Sequence, residues 1–106
     1  MPAASFRVTL SREAQADLYE IVEYWSERGE AWRGEKYFRE LTESAKTELA
    51  DLGHARRGRL LKSRRVTGAR EVLLFGVYRL IYKIDELDEN VEVLRFWHAH
   101  RGDPLS

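Results

Sequence analysis

The sequence predicts an α+β domain in which a two-helix hairpin packs on a small, mainly antiparallel sheet. In the first half of the chain, apolar residues recur every three or four positions over two long segments, which is the period of a helix. In the second half, three segments rich in β-branched and aromatic residues are separated by short links. A short segment in which apolar and polar residues alternate precedes both helical segments. The predicted order is strand, helix, helix, strand, strand, strand.

The first predicted elements are a short strand and the helix that follows it. Residues 6–10, FRVTL, alternate apolar and polar side chains, which is typical of a half-buried strand. Ser11 is a suitable N-cap, and Glu13 lies in the first turn, where the helix dipole favours an acid. Gly29 is the predicted end of the helix. The apolar stripe consists of Ala14, Leu18, Ile21, Val22 and Trp25.

The second predicted helix begins after a connection around Arg28 to Trp32 and ends at Gly53. Gly34 lies near its start, where a glycine costs the helix least. The two helices are expected to form a hairpin. The apolar stripe of the second helix is Phe38, Leu41, Ala45, Leu49 and Leu52, with Tyr37 beside it.

The second half of the chain predicts a meander. Residues 53–69 are rich in glycine and arginine and are expected to form a loop or a short strand. Three strand segments follow, over 72–75, 77–84 and 91–100, and their short links favour antiparallel pairing. In the last strand, simple alternation places Val93, Arg95 and Trp97 on one face, and Phe96 and His98 on the other. The helices are expected to cover one face of the sheet.

The totals limit the class of protein. A chain of 106 residues is expected to form one domain, 1–106, with a modest core. It has no cysteine, which excludes disulfides and thiolate chemistry. No signal peptide or membrane span is evident, so we expect a cytoplasmic protein with no membrane partner.

A net charge of zero conceals a segregation of charge along the chain. Residues 53–84 hold nine basic side chains and one acid, whereas the segments on either side are acidic. Such a run is compatible with phosphate contacts or with an acidic protein partner, and it contains little aromatic interleaving for base stacking. We call the densest part the electropositive flank, which consists of Arg56, Arg57, Arg59, Lys62, Arg64 and Arg65.

Several residues, taken in this order, resemble the RelE/ParE superfamily of toxins from type II toxin–antitoxin pairs, and ParE-like members most of all. The resemblance covers about residues 7–103. It depends on three pieces: an acid-rich first helix, a strand entry with Arg-Glu followed by Gly and Tyr-x-x-x-Tyr, and a His-x-x-Arg ending. The matching residues are Asp17, Leu18, Ile21 and Tyr24; Arg70, Glu71, Gly76, Tyr78 and Tyr82; and His98 and Arg101.

The resemblance implies a toxin that is neutralised by a cognate antitoxin, ParD- or RelB-like, whose acidic or disordered tail folds onto it as a hetero-oligomer. ParE-like members inhibit DNA gyrase and are not nucleases. The resemblance implies a functional surface around Arg70, Arg79, His98 and Arg101. The apolar stripe of the first helix is expected to form the antitoxin groove, with Leu18, Ile21, Val22 and Trp25.

RelE-like members imply an alternative, a metal-independent endoribonuclease that cuts messenger RNA on the ribosome. Such cleavage needs a base, a cation beside the phosphate and an acid. This chain has Arg70 and Val72 where those members carry lysines, and no tyrosine after His98. Arg79 matches their phosphate-binding arginine, with Glu71 and His98 as candidate base and acid. Arg79 is also suited to an ion pair with Glu71 or Glu92 on the sheet.

We expect no cofactor and no metal. His98 and His100 are two residues apart at the end of a strand and therefore share a face. Two imidazoles on one face can bind a metal, but the only third ligand nearby in the sequence is Asp103. An exposed Trp32 at the helix hairpin would suit a protein contact.

Overall fold

A computed structural model describes residues 5–102 and has the predicted α+β architecture. A helical hairpin covers one face of a five-stranded sheet. The elements in chain order are β1 (Arg7–Leu10), α1 (Arg12–Glu27), α2 (Ala31–Ala50), α3 (Leu52–Ala55), β2 (Arg59–Leu60), β3 (Arg70–Leu74), β4 (Tyr78–Asp85) and β5 (Asn90–His98).

The strands lie in the order β1-β5-β4-β3-β2. The neighbours from β5 to β2 pair antiparallel, as expected for a meander, whereas β1 pairs parallel with β5. A parallel neighbour needs a long crossover, and the helices lie in the connection that leads from β1 to the rest of the sheet. The strand β1 therefore forms one edge of the sheet, and the two-residue β2 forms only part of the other edge.

The start of α1 is tied to the sheet by one side chain. The Ser11 hydroxyl oxygen accepts from the Ala14 N–H at 3.0 Å, which confirms the predicted N-cap. The same hydroxyl donates to the Leu94 carbonyl of β5 at 2.9 Å. Gly29, with φ of 73°, follows the end of α1 as predicted, in the left-handed region that glycine adopts without strain.

The predicted end of the second helix at Gly53 is wrong. The helix α2 ends at Ala50, and Gly53 lies inside the short helix α3. The cause is Asp51, which has an extended backbone and accepts from the His54 N–H at 3.3 Å, so that it caps a new helix. The hairpin connection is also shorter than predicted, and Trp32 lies exposed in the first turn of α2.

The predicted alternation of β5 is wrong beyond Leu94. Val93 is opposite Tyr82, but Arg95 is opposite Ile81, so Leu94 is an extra residue in a β-bulge. The bulge shifts the faces by one residue. Phe96 and His98 consequently face the helices together with Val93, while Arg95 and Trp97 face away.

The core lies between the helical hairpin and the sheet. Within residues 5–102, no helix is both long and apolar enough to cross a membrane. The largest fully buried side chains are Leu18, Leu41, Leu49, Leu80, Ile81, Tyr82, Val91 and Val93.

Candidate functional site

A cleft of about 620 Å³ opens at the end of the molecule where α1 ends and the β3–β4 turn begins. Both helices of the hairpin and both central strands contribute to it. We call it the aromatic cleft. Its lining consists of Asp17, Glu20, Ile21, Tyr24, Trp25, Tyr37, Val77, Tyr78, Phe96, His98 and Arg101.

Aromatic rings form a continuous row along this cleft. The Trp25 ring of α1 stacks on Tyr37 of α2, with ring centroids 6.1 Å apart. Tyr37 meets Tyr78 of β4 edge-on at 5.7 Å, and Tyr78 meets His98 of β5 edge-on at 5.7 Å. These are favourable aromatic geometries, so the row holds four elements in place and presents an apolar surface.

Tyr78 is the centre of the row and stays uncharged at neutral pH. Burial raises the pKa of its hydroxyl above the usual value, and the neighbouring Tyr37 and Tyr24 raise this pKa further. The Tyr78 part of the cleft wall is therefore uncharged over the physiological pH range.

One rim of the cleft is polar. The Asp17 carboxylate accepts from Arg95 Nε and Nη2, both at 2.8 Å, and from the Phe96 N–H at 3.0 Å. The hydrogen bonding of Arg95 to the Asp17 carboxylate raises the pKa of Arg95, which remains a cation. Nearby, Arg101 Nη1 lies 3.9 Å from Glu20 Oε2. The charges on this rim are thus largely paired within the chain.

The structure divides the predicted antitoxin groove. Ile21 and Trp25 line the aromatic cleft. Leu18 does not, because it is 1% exposed and packs in the core, and Val22 is half-buried against α2 near Gly34. Sequence reasoning missed Tyr37 as a cleft residue, since its only signal was a position beside the apolar stripe of α2.

Glu71 and Arg79 lie on the face of the sheet that the helices leave uncovered. Arg79 Nε donates to Glu71 Oε2 at 2.6 Å, which is the ion pair that the sequence suggested. Arg59 also forms an ion pair with Glu71, through Oε1. Both carboxylate oxygens therefore accept hydrogen bonds from guanidinium groups.

His98 does not meet that pair. In β4 and β5, Tyr78 is opposite His98 and Arg79 is opposite Trp97, so His98 and Arg79 point to opposite faces of the sheet. The structure thus brings Glu71 and Arg79 together and places His98 in the aromatic cleft. There its Nδ1 accepts from the His100 N–H at 3.2 Å.

The four residues of the predicted functional surface do not form one surface either. Arg79 lies on the uncovered face, whereas His98 and Arg101 line the aromatic cleft. The guanidinium of Arg70 donates to the Gly58 carbonyl at 2.9 Å and anchors the entry to β2. Two of the four therefore share the cleft, and the other two lie apart.

Trp97 lies on the uncovered face beside two cations. The guanidinium carbons of Arg95 and Arg101 are 4.5 Å and 4.1 Å from its ring centroid. Its indole N–H donates to the Gly102 carbonyl at 2.6 Å, which ties residues after β5 to the sheet.

The electropositive flank is partly neutralised. Arg56 pairs with Glu86 and Arg59 pairs with Glu71. Arg57, Lys62, Arg64 and Arg65 are exposed, and within residues 5–102 they form no ion pair. The last three lie on the long β2–β3 loop.

No group of three or more His, Asp or Glu side chains in the described part of the chain is arranged to hold a metal ion. His98 and His100 lie close together, with ring centroids 5.3 Å apart. Asp103, the third ligand that the sequence suggested, lies outside the described residues.

Comparisons with known proteins agree with this architecture. The fold matches the crystal structure of the RelBE2 toxin–antitoxin complex from Mycobacterium tuberculosis, with a TM-score of 0.69 and 24% identity over 96% of this chain and 98% of that chain. It also matches a chromosomal ParDE toxin–antitoxin system from P. aeruginosa, with a TM-score of 0.70 and 18% identity over 91% and 98% of the two chains. No curated protein matches the chain significantly.

The solved structures show only a shared fold, whereas a family model assigns the chain to a family. The model that describes the ParE toxin of the type II toxin–antitoxin system parDE matches residues 8–102. That range begins in β1 and includes every residue from there to the end of the described chain. The chain therefore belongs to the ParE toxin family of type II toxin–antitoxin systems.

Proposed function

We propose that this chain is a toxin that acts by binding DNA gyrase and inhibiting it, and that a co-produced antitoxin neutralises it. Membership of the ParE toxin family supports the toxin function. Because a binding inhibitor needs a surface and no acid–base set of its own, the proposal makes no demand on catalytic side chains.

One observation favours an inhibitor over a nuclease. The oxygens of Glu71 accept hydrogen bonds from Arg59 and Arg79, so this carboxylate is engaged in ion pairs within the chain. His98, the candidate acid, lies on the other face of the sheet, in the cleft. General acid–base catalysis needs both groups within hydrogen-bond reach of one substrate.

A supercoiling assay tests the gyrase proposal. Purified toxin is incubated with gyrase, ATP and relaxed plasmid, with a parallel reaction that also contains the antitoxin. We expect the toxin to prevent supercoiling and the antitoxin to restore it. Unchanged supercoiling and unchanged levels of cleaved plasmid at a large excess of toxin would reject gyrase as the target.

We propose the aromatic cleft as the antitoxin site. Its row of rings is open to solvent at one side, and exposed apolar surface of this kind marks an interaction site. Tyrosine and tryptophan are the residues that most often dominate binding energy. Two solved structures that share this fold are a toxin–antitoxin complex and a ParDE toxin–antitoxin system, which supports a partner of this class. An antitoxin segment that folds on binding would carry an amphipathic face to match the cleft.

We propose that the electropositive flank guides an acidic partner to the toxin. Its exposed cations Lys62, Arg64 and Arg65 are free to attract such a partner over about a Debye length, ~8–10 Å. Reversing the charges of Arg64 and Arg65 should slow antitoxin association and reduce its salt dependence. Arg12→Glu, an exposed change on α1, is the control. Equal effects of the two changes would remove a special role for the flank.

The alternative function is ribosome-dependent RNA cleavage, and one observation favours it. The uncovered face of the sheet carries the guanidinium groups of Arg59 and Arg79 and the ring of Trp97, a combination suited to phosphate and a stacked base. If the chain cleaves RNA, translating ribosomes should yield transcripts cut in the A site, and Arg79→Ala should abolish the cuts. Intact transcripts with the wild-type toxin would exclude this function.

A further inference from the structure

The turn between β3 and β4 has an unsuitable residue at its tip. Phe75 has φ of 53° and Gly76 has φ of 67°, and the Val77 N–H donates to the Leu74 carbonyl at 3.1 Å. Two central residues with positive φ define the hairpin turn in which Asn-Gly is strongly preferred. A bulky phenylalanine in the left-handed region is an outlier that needs a reason.

Packing does not supply that reason. Phe75 is 51% exposed, and Leu73, two residues before it, is 54% exposed. Phe75 therefore contributes little to the core. Its left-handed backbone conformation is also less favourable for phenylalanine than it would be for asparagine. Strained residues of this kind cluster at functional sites.

The strand next to this turn has a free edge. β2 pairs only with Arg70 and Glu71, so β3 beyond them has no partner on that side within residues 5–102. The Leu74 carbonyl faces β4, because it accepts from Val77. Successive residues of a strand direct their backbone N–H and C=O groups towards opposite neighbouring strands. The N–H and C=O of Leu73 therefore face the open edge.

This edge lacks the usual protection. Proteins guard free edges with lysine, proline, bulges or a covering segment. Residues 72–75, VLLF, hold no charge and no proline. An unguarded, apolar edge beside a strained, exposed phenylalanine is a template for an added strand.

We propose that the free edge of β3 and the Phe75 side chain form the docking site for an extended segment of the toxin's protein target. The segment adds a strand beside Leu73 and packs an apolar side chain against Leu73 and Phe75. This inference rests on the proposed function as a toxin that acts by binding, and it assigns the contact. The aromatic cleft is left to the antitoxin.

The position of this site accounts for neutralisation. Val77 and Tyr78 line the aromatic cleft, and they follow the turn directly. A segment that is seated in the cleft therefore lies beside Phe75 and hinders access to the edge. We expect the target and the antitoxin to compete without sharing their main contacts.

Two other occupants fit less well. Nucleic acid needs cations, and residues 72–77 supply none. A second copy of this chain needs more surface, because three edge residues and two side chains bury far less than the roughly 1,200 Å² of a stable interface.

Three variants test the proposal. Phe75→Asn restores the preferred turn residue and removes the anchor, and Leu73→Lys guards the edge without touching the turn. Leu87→Asn, in the β4–β5 turn at the opposite end of the sheet, is the control, because Leu87 is also exposed and apolar. Each variant is expressed in cells with and without antitoxin, purified, melted, and titrated with antitoxin.

We expect Phe75→Asn and Leu73→Lys to lose growth inhibition at least tenfold, measured as the inducer level that halts growth. Both should bind antitoxin as the wild type does, and Phe75→Asn should melt within about 4 °C of it. Leu87→Asn should remain fully toxic. If both site variants stay toxic while folded, the proposal is overturned. A wild type that leaves growth unaffected overturns it together with the proposed function.

Amide hydrogen exchange distinguishes a failure of the docking-site proposal from a failure of the gyrase proposal. Wild-type toxin is mixed with gyrase, and exchange is followed over residues 72–75. We expect the Leu73 amide to become protected, and Leu87→Asn to behave in the same way. If gyrase is not inhibited but the site variants lose toxicity, gyrase is the wrong target and the docking site stands. Protection of Leu73 that grows with toxin concentration alone would mean self-association and overturn the proposal.

Discussion

At the residue scale, one buried carboxylate joins the helical layer to the sheet. Asp17 of α1 is 4% exposed and accepts three hydrogen bonds from Arg95 and Phe96 of β5. The two arginine contacts and the backbone contact all lie at the bulge of β5, where the ladder is interrupted. Asp17 therefore compensates a gap in the sheet.

Removing this carboxylate should be costly. In Asp17→Ala the Arg95 guanidinium and the Phe96 N–H lose their partner in a mostly buried setting, and we expect a loss of about 3 kcal/mol in the free energy of unfolding. Urea denaturation measures it as a lower midpoint with an unchanged slope. Glu20→Ala removes the exposed, 3.9 Å pair with Arg101 and should cost less than about 0.5 kcal/mol. Similar losses in both variants would show that Asp17 is not the anchor.

Tyr78 should make the fold sensitive to alkali. Its pKa is raised by burial and by Tyr37 and Tyr24, whereas in the unfolded chain it stays near the ordinary 10.0. The folded state therefore binds more protons than the unfolded state between these two pKa values. Stability from this group is complete below about pH 10 and falls as the pH rises towards the folded-state pKa.

The corresponding test compares Tyr78→Phe with the wild type between about pH 9 and about pH 11. We expect the free energy of unfolding of the variant to fall less steeply. Some slope should remain, because burial also raises the pKa of Tyr82. Tyr19→Phe, which changes an exposed tyrosine, should follow the wild-type curve. An unchanged slope in Tyr78→Phe would rule out this explanation of alkaline unfolding.

At the scale of elements, the helical hairpin depends on a glycine. Gly34 is buried where α2 crosses α1, and a Cβ at this position would lie 2.8 Å from the Val22 Cα and 3.1 Å from the Val22 carbonyl oxygen. Real Cβ atoms do not approach a backbone so closely. The glycine, which the sequence suggested only as tolerable near a helix start, sets the distance between the two helices.

Gly34→Ala should therefore destabilise the protein, although alanine is the better helix former by about 1 kcal/mol. Forcing α1 and α2 apart disturbs the row formed by Trp25 and Tyr37, and overpacking typically costs about 1–3 kcal/mol. Thermal or urea unfolding measures the loss. Gly53→Ala in α3 is the matched control, since its Cβ would meet only the Asp51 side chain, at 3.3 Å. A stabilised Gly34→Ala would mean that the helices have room to shift.

The elements that the sequence predicted correctly are those with local causes. Ser11 caps α1 through its own hydroxyl, and Gly29 follows the end of α1 with a positive φ that its own backbone freedom allows. The bulge at Leu94 has no such signal, because it arises from the register with β4. Residues 53–69 are expected to form a loop or a short strand, but the position of β2 within them is equally hidden, since two residues form a strand only because β3 lies beside them.

At the scale of the whole molecule, the two faces of the sheet have different surroundings. The covered face ends in the aromatic cleft, while the uncovered face carries Glu71, Arg79 and Trp97. The sequence identified Trp25, Tyr78 and His98 as notable, but it could not show that Tyr37 joins them from another helix. It also could not separate His98 from Arg79, because the bulge in β5 decides which face His98 takes.

The proposed separation of the aromatic cleft from the free edge of β3 predicts that antitoxin binding and toxicity can be separated by mutation. Tyr24 lines the aromatic cleft, is largely exposed, and lies under the Arg28 guanidinium, which is 3.5 Å from its ring centroid. Removing its ring should leave the core intact and take away cleft surface. A tyrosine anchor in such a site contributes about 2 kcal/mol or more.

We therefore expect Tyr24→Ala to weaken antitoxin binding about thirtyfold, which corresponds to about 2 kcal/mol. The variant should inhibit growth by itself as strongly as the wild type, and co-expressed antitoxin should rescue growth poorly. Calorimetric titration and growth curves measure the two effects. Tyr19→Ala, an exposed tyrosine of the same helix that packs against Phe38 outside the cleft, should be rescued fully. If Tyr24→Ala lost toxicity and antitoxin binding together, the cleft would serve both partners, and the assignment of separate sites to antitoxin and target would fail.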